Sequence, residues 1–162
     1  MDKHILDVCC GGKMFYFDKN DDRVLFCDKR RIKTTLCDGR DFEVNPDMLA
    51  DFTNLPFENK SFKLVVFDPP HLTKNTDGDP TGWQQIKYGC LKVDWKEMLR
   101  KGFEECFRVL EDYGVLIFKW NETDIPIREI LKLTTKKPVF GHISGKRNNT
   151  HWICFFKEKD NG

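Results

Sequence analysis

No two of the seven cysteines, at 9, 10, 27, 37, 90, 106 and 154, have the Cys-x-x-Cys spacing that zinc ribbons and dithiol redox motifs need. The number is odd, which excludes complete disulfide pairing. Cys9 and Cys10 are adjacent, and neighbouring side chains on a strand point to opposite faces. We therefore expect no metal site, and cysteines that serve as small apolar residues in a reducing cytoplasm. The opening residues MDKHILDV hold no apolar run of signal-peptide length, and no window approaches the roughly 20 apolar residues of a membrane span. A soluble, cytoplasmic protein without a membrane partner is the expectation. Net charge is also lacking: 27 Lys and Arg stand against 26 Asp and Glu. Any nucleic-acid binding must then rest on a local patch. The dinucleotide fingerprint G-x-G-x-x-G is missing, since the glycine turn reads Cys9-Cys10-Gly11-Gly12-Lys13-Met14 and no long helix follows to hold a pyrophosphate. There is no internal repeat, low-complexity tract or linker. A length of 162 residues suits one core, so residues 1–162 read as a single domain.

What is present centres on Ser61 to Leu72, SFKLVVFDPPHL. A buried strand, Leu64 to Phe67, stops at Asp68 and runs into Pro69, Pro70 and His71. An acidic residue at the carboxyl end of an apolar strand, followed by a rigid turn, is where open α/β sheets place their chemistry. Around it, His4 to Cys9 and Val24 to Cys27 read as strands. Residues 13–27 leave room for only a very short helix or a loop between Gly12 and Asp28. Residues 29–46 read as polar and irregular, with turn signals at Asp38-Gly39 and Asn45-Pro46. A weak third strand covers Asp47 to Asp51. Residues 72–93 form a long loop without apolar period. Asp94 or its neighbour caps the clearest helix, whose face is Met98, Leu99, Gly102, Phe103, Cys106, Phe107 and Leu110. A strand at Val115 to Trp120, a helix starting after Pro126, and a hairpin from Val139–Ile143 and His151–Phe156 complete an α/β order closed by an antiparallel pair.

Asp28, Asp51 and Asp68 each end an apolar strand, and in a parallel sheet those ends share one edge. With the glycine turn after the first strand, they suggest a nucleoside-binding edge. An ionised Asp28 suits bidentate acceptance from two vicinal ribose hydroxyls. Asp51 suits a purine amino group or, more plainly, a turn cap. Gly11 and Gly12 allow close approach of a ligand to the backbone.

These residues carry a resemblance. Asp7-x-Cys9-x-Gly11, Asp28, Asp51, the Asn54-Leu55-Pro56-Phe57 loop and Asp68-Pro69-Pro70-His71 resemble class I S-adenosylmethionine-dependent methyltransferases over nearly the whole chain. The Asp-Pro-Pro turn is similar to that of small phage- or prophage-type enzymes that methylate amino groups of adenine or cytosine. The resemblance implies a Rossmann-like, mostly parallel seven-stranded sheet with an antiparallel C-terminal strand pair and few helices. It implies S-adenosylmethionine as cofactor, held by Asp7, Cys9, Gly11, Gly12, Asp28, Asp51, Phe52 and Asp68. Asp68, Pro69, Pro70 and His71 become the catalytic turn, and DNA or RNA the acceptor, adenine ahead of cytosine. Cys9 and Lys13 replace the first and third glycines of the family, and His71 stands where an aromatic ring is usual. No segment has the size of a target-recognition region.

In such a turn, Asp68 and the Pro69 carbonyl would accept the two N–H groups of an exocyclic amine and orient its nitrogen. His71 would stack on the base. Acceptors of another kind remain open, a protein side-chain amide or a small molecule, as does a silent cofactor-binding module. The 72–93 loop, with Lys74, Trp83, Gln84, Gln85, Lys87 and Tyr88, reads as a lid or a substrate platform. Lys29-Arg30-Arg31 and the Lys146 to Trp152 stretch are the basic clusters able to meet phosphates.

Overall fold

The computed structural model describes residues 3–36, 38–73, 83–91 and 93–159. In chain order its elements are β1 (Ile5–Asp7), β2 (Val24–Asp28), β3 (Ile32–Thr35), β4 (Asp41–Val44), β5 (Met48–Leu49), β6 (Phe62–Phe67), α1 (Trp83–Tyr88), α2 (Trp95–Val109), β7 (Leu110–Asn121), α3 (Ile127–Leu131), β8 (Phe140–Ser144) and β9 (Thr150–Phe156). The main sheet runs β5-β2-β1-β6-β7-β9-β8. From β5 to β7 neighbours are parallel, and β9 and β8 are antiparallel. Leu6 in the middle of β1 lies opposite Leu25 of β2 on one side and Val65 of β6 on the other. The chain winds outward in both directions from β1 and β6, so a crevice opens at their carboxyl ends.

Apolar runs explain the buried strands. All of β2 is buried, as are the last three residues of β6, as expected for parallel strands covered on both faces. Helix α2 lays Leu99, Phe103 and Cys106 against the sheet. The Phe103 ring is 5.3 Å from Phe67 and 4.8 Å from Phe118. Each such buried ring or leucine contributes about 1.5–3 kcal/mol of transfer free energy. Gly102 sets the helix-to-sheet distance, because a Cβ there would stand 2.6 Å from Cζ of Phe67.

Two local expectations are corrected, at residues 29–46 and in the 72–93 loop. Residues 29–46 are not irregular: β3 and β4 form an antiparallel hairpin, with Ile32 opposite Val44, turned by Gly39 at φ +80°. Its alternation is short, only Phe42 and Val44 buried on β4, and charged residues between them mask the period of two. Of the short helix or loop expected after Gly12, the loop is observed: residues 14–17 form turns, with Lys13 N–H donating to the Cys10 carbonyl and Tyr16 N–H to that of Lys13. Asp94 holds the N-cap position of α2 without a side-chain capping bond. Part of the 72–93 loop is the short helix α1. Residues 74–82 and 92, including Lys74, lie outside the described residues, and with them the choice between lid and platform. Among the described residues no helix is long and apolar enough to cross a membrane.

Candidate functional site

The carboxyl ends of β1, β2 and β6 and the turns after them surround one cavity of about 670 Å³, counting space open to solvent. Its floor is the glycine turn. Gly11 has φ +50°, a left-handed conformation that favours glycine, and a Cβ built there meets nothing within 4 Å. Backbone is thus presented to open space. At Gly12 an added Cβ would stand 2.9 Å from the Phe42 ring, so the hairpin packs directly onto the turn. Lys13 also has positive φ, at 53°. Its ammonium turns away from the cavity, to the Lys19 carbonyl at 3.0 Å and over the Phe26 ring at 4.1 Å.

Asp28 is buried at the end of β2. Its Oδ2 accepts from Gly11 N–H at 3.0 Å, and its Oδ1 from Arg30 N–H at 2.9 Å and Arg30 Nε at 3.3 Å. A carboxylate has about four acceptor sites, so the protein's donors leave capacity for a ligand. Arg30 also donates through Nη1 to the Ile86 carbonyl at 3.1 Å, tying α1 to the same corner. Beneath the turn lies Asp7, fully buried. It accepts from Cys9 N–H at 3.1 Å and from the Tyr16 hydroxyl at 2.8 Å. Burial pushes its pKa up to about 7, against the lowering effect of those two bonds. Burial likewise holds the Cys9 thiol well above its ordinary value, with the charge of Asp7 adding to the effect.

At the end of β6, Oδ2 of Asp68 accepts from Lys119 Nζ at 2.9 Å. Register explains the pair: Phe67 faces Phe118 across β6 and β7, so the next residue of each strand meets the other. The Lys119 ammonium also lies 5.2 Å from the Phe15 ring and 5.5 Å from that of Trp152. Oδ1 of Asp68 has no hydrogen bond among the described residues. His71, half-buried, has its ring 5.6 Å from Tyr88 and 6.3 Å from Trp120. Burial lowers its pKa, which favours the neutral imidazole. A second cavity adjoins this turn, and Asp68, His71, Tyr88 and Lys119 line both.

No protein-family model matches the sequence, and no curated protein matches it either. Solved structures do. A SAM-dependent methyltransferase of Methanosarcina mazei superposes with TM-score 0.59 at 12% identity, covering 99% of this chain and 95% of that one. A Pyrococcus horikoshii protein gives TM-score 0.58 at 16% identity over 96% and 81%. The 1,6-didemethyltoxoflavin-N1-methyltransferase of Burkholderia thailandensis, solved with that compound and S-adenosylhomocysteine, gives 0.54 at 12% over 96% and 71%. This chain has the class I methyltransferase fold. The expected sheet, mostly parallel with an antiparallel C-terminal pair and few helices, is the one observed.

Within this methyltransferase fold the candidate residues separate. Cys9, Gly11, Gly12, Asp28, Phe52, Asp68, Pro69, Pro70 and His71 line the first cavity together. Asp7 does not reach it and instead holds the turn from below. Asp51 is exposed and not on the cavity wall; its Oδ1 accepts from Thr53 N–H at 2.9 Å and Thr53 Oγ1 at 2.7 Å, the local capping that aspartate favours in turns. Met14, Phe15 and Lys119 line the cavity and were not among the candidates. Lys119 had a signal, a lone charge inside the apolar run Val115 to Trp120.

Proposed function

We propose that this protein is an S-adenosylmethionine-dependent methyltransferase acting on an exocyclic amino nitrogen of a base, adenine ahead of cytosine, in DNA or RNA. The observation that carries this reading is the position of Asp68 in the lining of two cavities, one carboxylate oxygen engaged by Lys119 and the other without a hydrogen bond among the described residues. Such a position suits a reaction between two ligands.

The open backbone at Gly11 and the buried Asp28 fit a nucleoside. Gly11 and Gly12 would lie along the cofactor, Asp28 would accept its ribose hydroxyls, and Phe52 would pack on its apolar side. When bound, the cofactor supplies a methyl carbon already activated by a sulfonium. The remaining task belongs to the chain: to align the acceptor nitrogen and exclude water. The lone pair of a base amino group is delocalised into its ring. Asp68 Oδ1 and the Pro69 carbonyl would each accept one N–H, orienting the nitrogen and stabilising the positive charge that develops on it. Both prolines have fixed φ and lack an N–H, so the carbonyl is held without a backbone donor beside it. A neutral His71 ring would stack on the base.

A second reading has a small nitrogen heterocycle as acceptor, which the Burkholderia neighbour and its bound compound favour. Transfer of labelled methyl to DNA, RNA, protein and free nucleobase pools separates the two. Asp68→Ala is expected to keep S-adenosylhomocysteine binding within a few fold and to abolish transfer. Transfer near the parent rate by that variant overturns the role of Asp68. Binding of NAD without S-adenosylhomocysteine overturns the cofactor.

A further inference from the structure

The second cavity beside Asp68 ends in a polar wall that the amino-group reading leaves unused. Asn121, Thr123, Arg147 and Thr150 form it. Side-chain bonds join the end of β7 to the turn between β8 and β9. Asn121 Nδ2 donates to Asn149 Oδ1 at 3.3 Å and to Thr150 Oγ1 at 3.1 Å, and Asn149 Nδ2 donates to Thr123 Oγ1 at 2.9 Å. Glu122 N–H adds a bond to the Asn149 carbonyl at 2.8 Å. The turn itself is tight, with Asn148 N–H on the Gly145 carbonyl. Arg147 is therefore carried on a braced turn over the cavity that Asp68 lines.

Its guanidinium differs from the others. Arg23, Arg30, Arg40, Arg100, Arg108 and Arg128 each pair with a carboxylate, and Arg31 donates to the Pro46 carbonyl. Arg147 makes no ion pair or hydrogen bond among the described residues. Lys119, the other cation of this cavity, is spent on Asp68. A surplus positive charge remains, in a planar fork that matches phosphate. Thr150 Oγ1 accepts from Asn121, so its own hydrogen remains free to donate.

We propose that this cavity binds a phosphate group of the acceptor, on Arg147 and the Thr150 hydroxyl, while the base lies at Asp68. The inference rests on the amino-group reading and narrows it from bases in general to phosphorylated nucleosides. The phosphate belongs to a free nucleotide or to a polynucleotide backbone.

Titration of the S-adenosylhomocysteine-loaded protein with adenosine, adenosine 5′-monophosphate and a short adenine-containing oligonucleotide tests it. At low salt, one or both phosphorylated ligands should bind at least about tenfold tighter than adenosine, as expected of a charge-assisted bidentate contact. Arg147→Gln should remove that gain, with S-adenosylhomocysteine affinity unchanged as the check on folding. A gain already complete with the monophosphate identifies free nucleotide, and a gain seen only with the oligonucleotide identifies backbone phosphate. Equal binding of adenosine and both phosphorylated ligands, or a gain that survives Arg147→Gln, overturns the phosphate site. Labelled methyl entering the adenosine amino group would then show that the amino-group reading still stands. A phosphate gain lost in Arg147→Gln, with no label on any adenine or cytosine amino group, keeps the phosphate site and overturns the base reading.

Discussion

Two carboxylates at opposite ends of β6 have similar exposure and different surroundings. Glu105 and Arg108, on the last turns of α2, are 17% and 30% exposed at their side chains, and Asp68 and Lys119 are 23% and 24%. Burial alone does not distinguish the pairs. Saturation does. Both oxygens of Glu105 are occupied, by Arg108 Nε at 2.6 Å and Nη2 at 2.8 Å and by Leu55 N–H at 2.7 Å. Arg108 continues to the carbonyls of Leu55 and Phe57 at 3.0 and 2.7 Å. That pair bonds the backbone of the Asn54 to Phe57 loop at three points. Asp68 accepts one bond from a lysine whose ammonium lies beside two rings, and its second oxygen has no hydrogen bond among the described residues. One pair is saturated; the other leaves a carboxylate oxygen unbonded among the described residues.

The largest expected effect separates the two functions. Asp68→Asn, which keeps an acceptor oxygen and removes the negative charge, should lower methyl transfer on the order of 10²–10³-fold, the scale of losing one electrostatic contact to a transition state, with the urea midpoint little changed. A loss of stability comparable to that at Glu105 would break the contrast.

Asp7 sharpens it from another side, because it is fully buried and accepts from two neutral donors without a cation. Its folded pKa is raised from an ordinary value near ~3.9 to about 7. Above pH 4 the unfolded chain releases this proton first, so stability falls as pH rises, and the fall ends once the folded group has ionised near 7. The loss over that window should be on the order of a few kcal/mol. Asp7→Asn should remove it, measured as urea unfolding free energy against pH; an identical slope in the variant would show that Asp7 does not carry it.

Glu105→Gln comes next, at about 1–3 kcal/mol destabilising, with transfer at a permissive temperature unchanged. The Arg108 guanidinium holds the Glu105 carboxyl below its ordinary value. Its contribution is therefore present above the unfolded pKa and lost as pH falls through the lowered folded one, the reverse of Asp7.

The Asp68-Pro69-Pro70 turn was legible in the sequence because its chemistry is contiguous and a four-residue apolar strand precedes it. Lys119 was not, since it meets Asp68 only through the pairing of β6 with β7. Asp28 was readable from its strand end. Asp51 has the same local pattern, yet its carboxylate closes on Thr53, and only geometry separates a ligand acceptor from a turn cap. The β3–β4 hairpin escaped because β4 buries only two residues and β3 none, too few to establish a period against charged neighbours.

The smallest effect concerns how the glycine turn is held. Tyr16 donates its hydroxyl to Asp7 at 2.8 Å while its ring packs on Phe26 at 4.8 Å. Tyr16→Phe keeps the ring and removes the bond. At pH 5 the folded Asp7 is protonated, and the loss is that of a neutral hydrogen bond, about 1 kcal/mol. At pH 8 the acceptor is a carboxylate, and the loss rises to about 1.5–3 kcal/mol. The same bond lowers the Asp7 pKa, so the variant's stability should keep falling above pH 7 where the parent's has levelled. A pH-independent difference between parent and variant would show that the hydroxyl does not sense the charge on Asp7, and that the turn above it is fixed by packing alone.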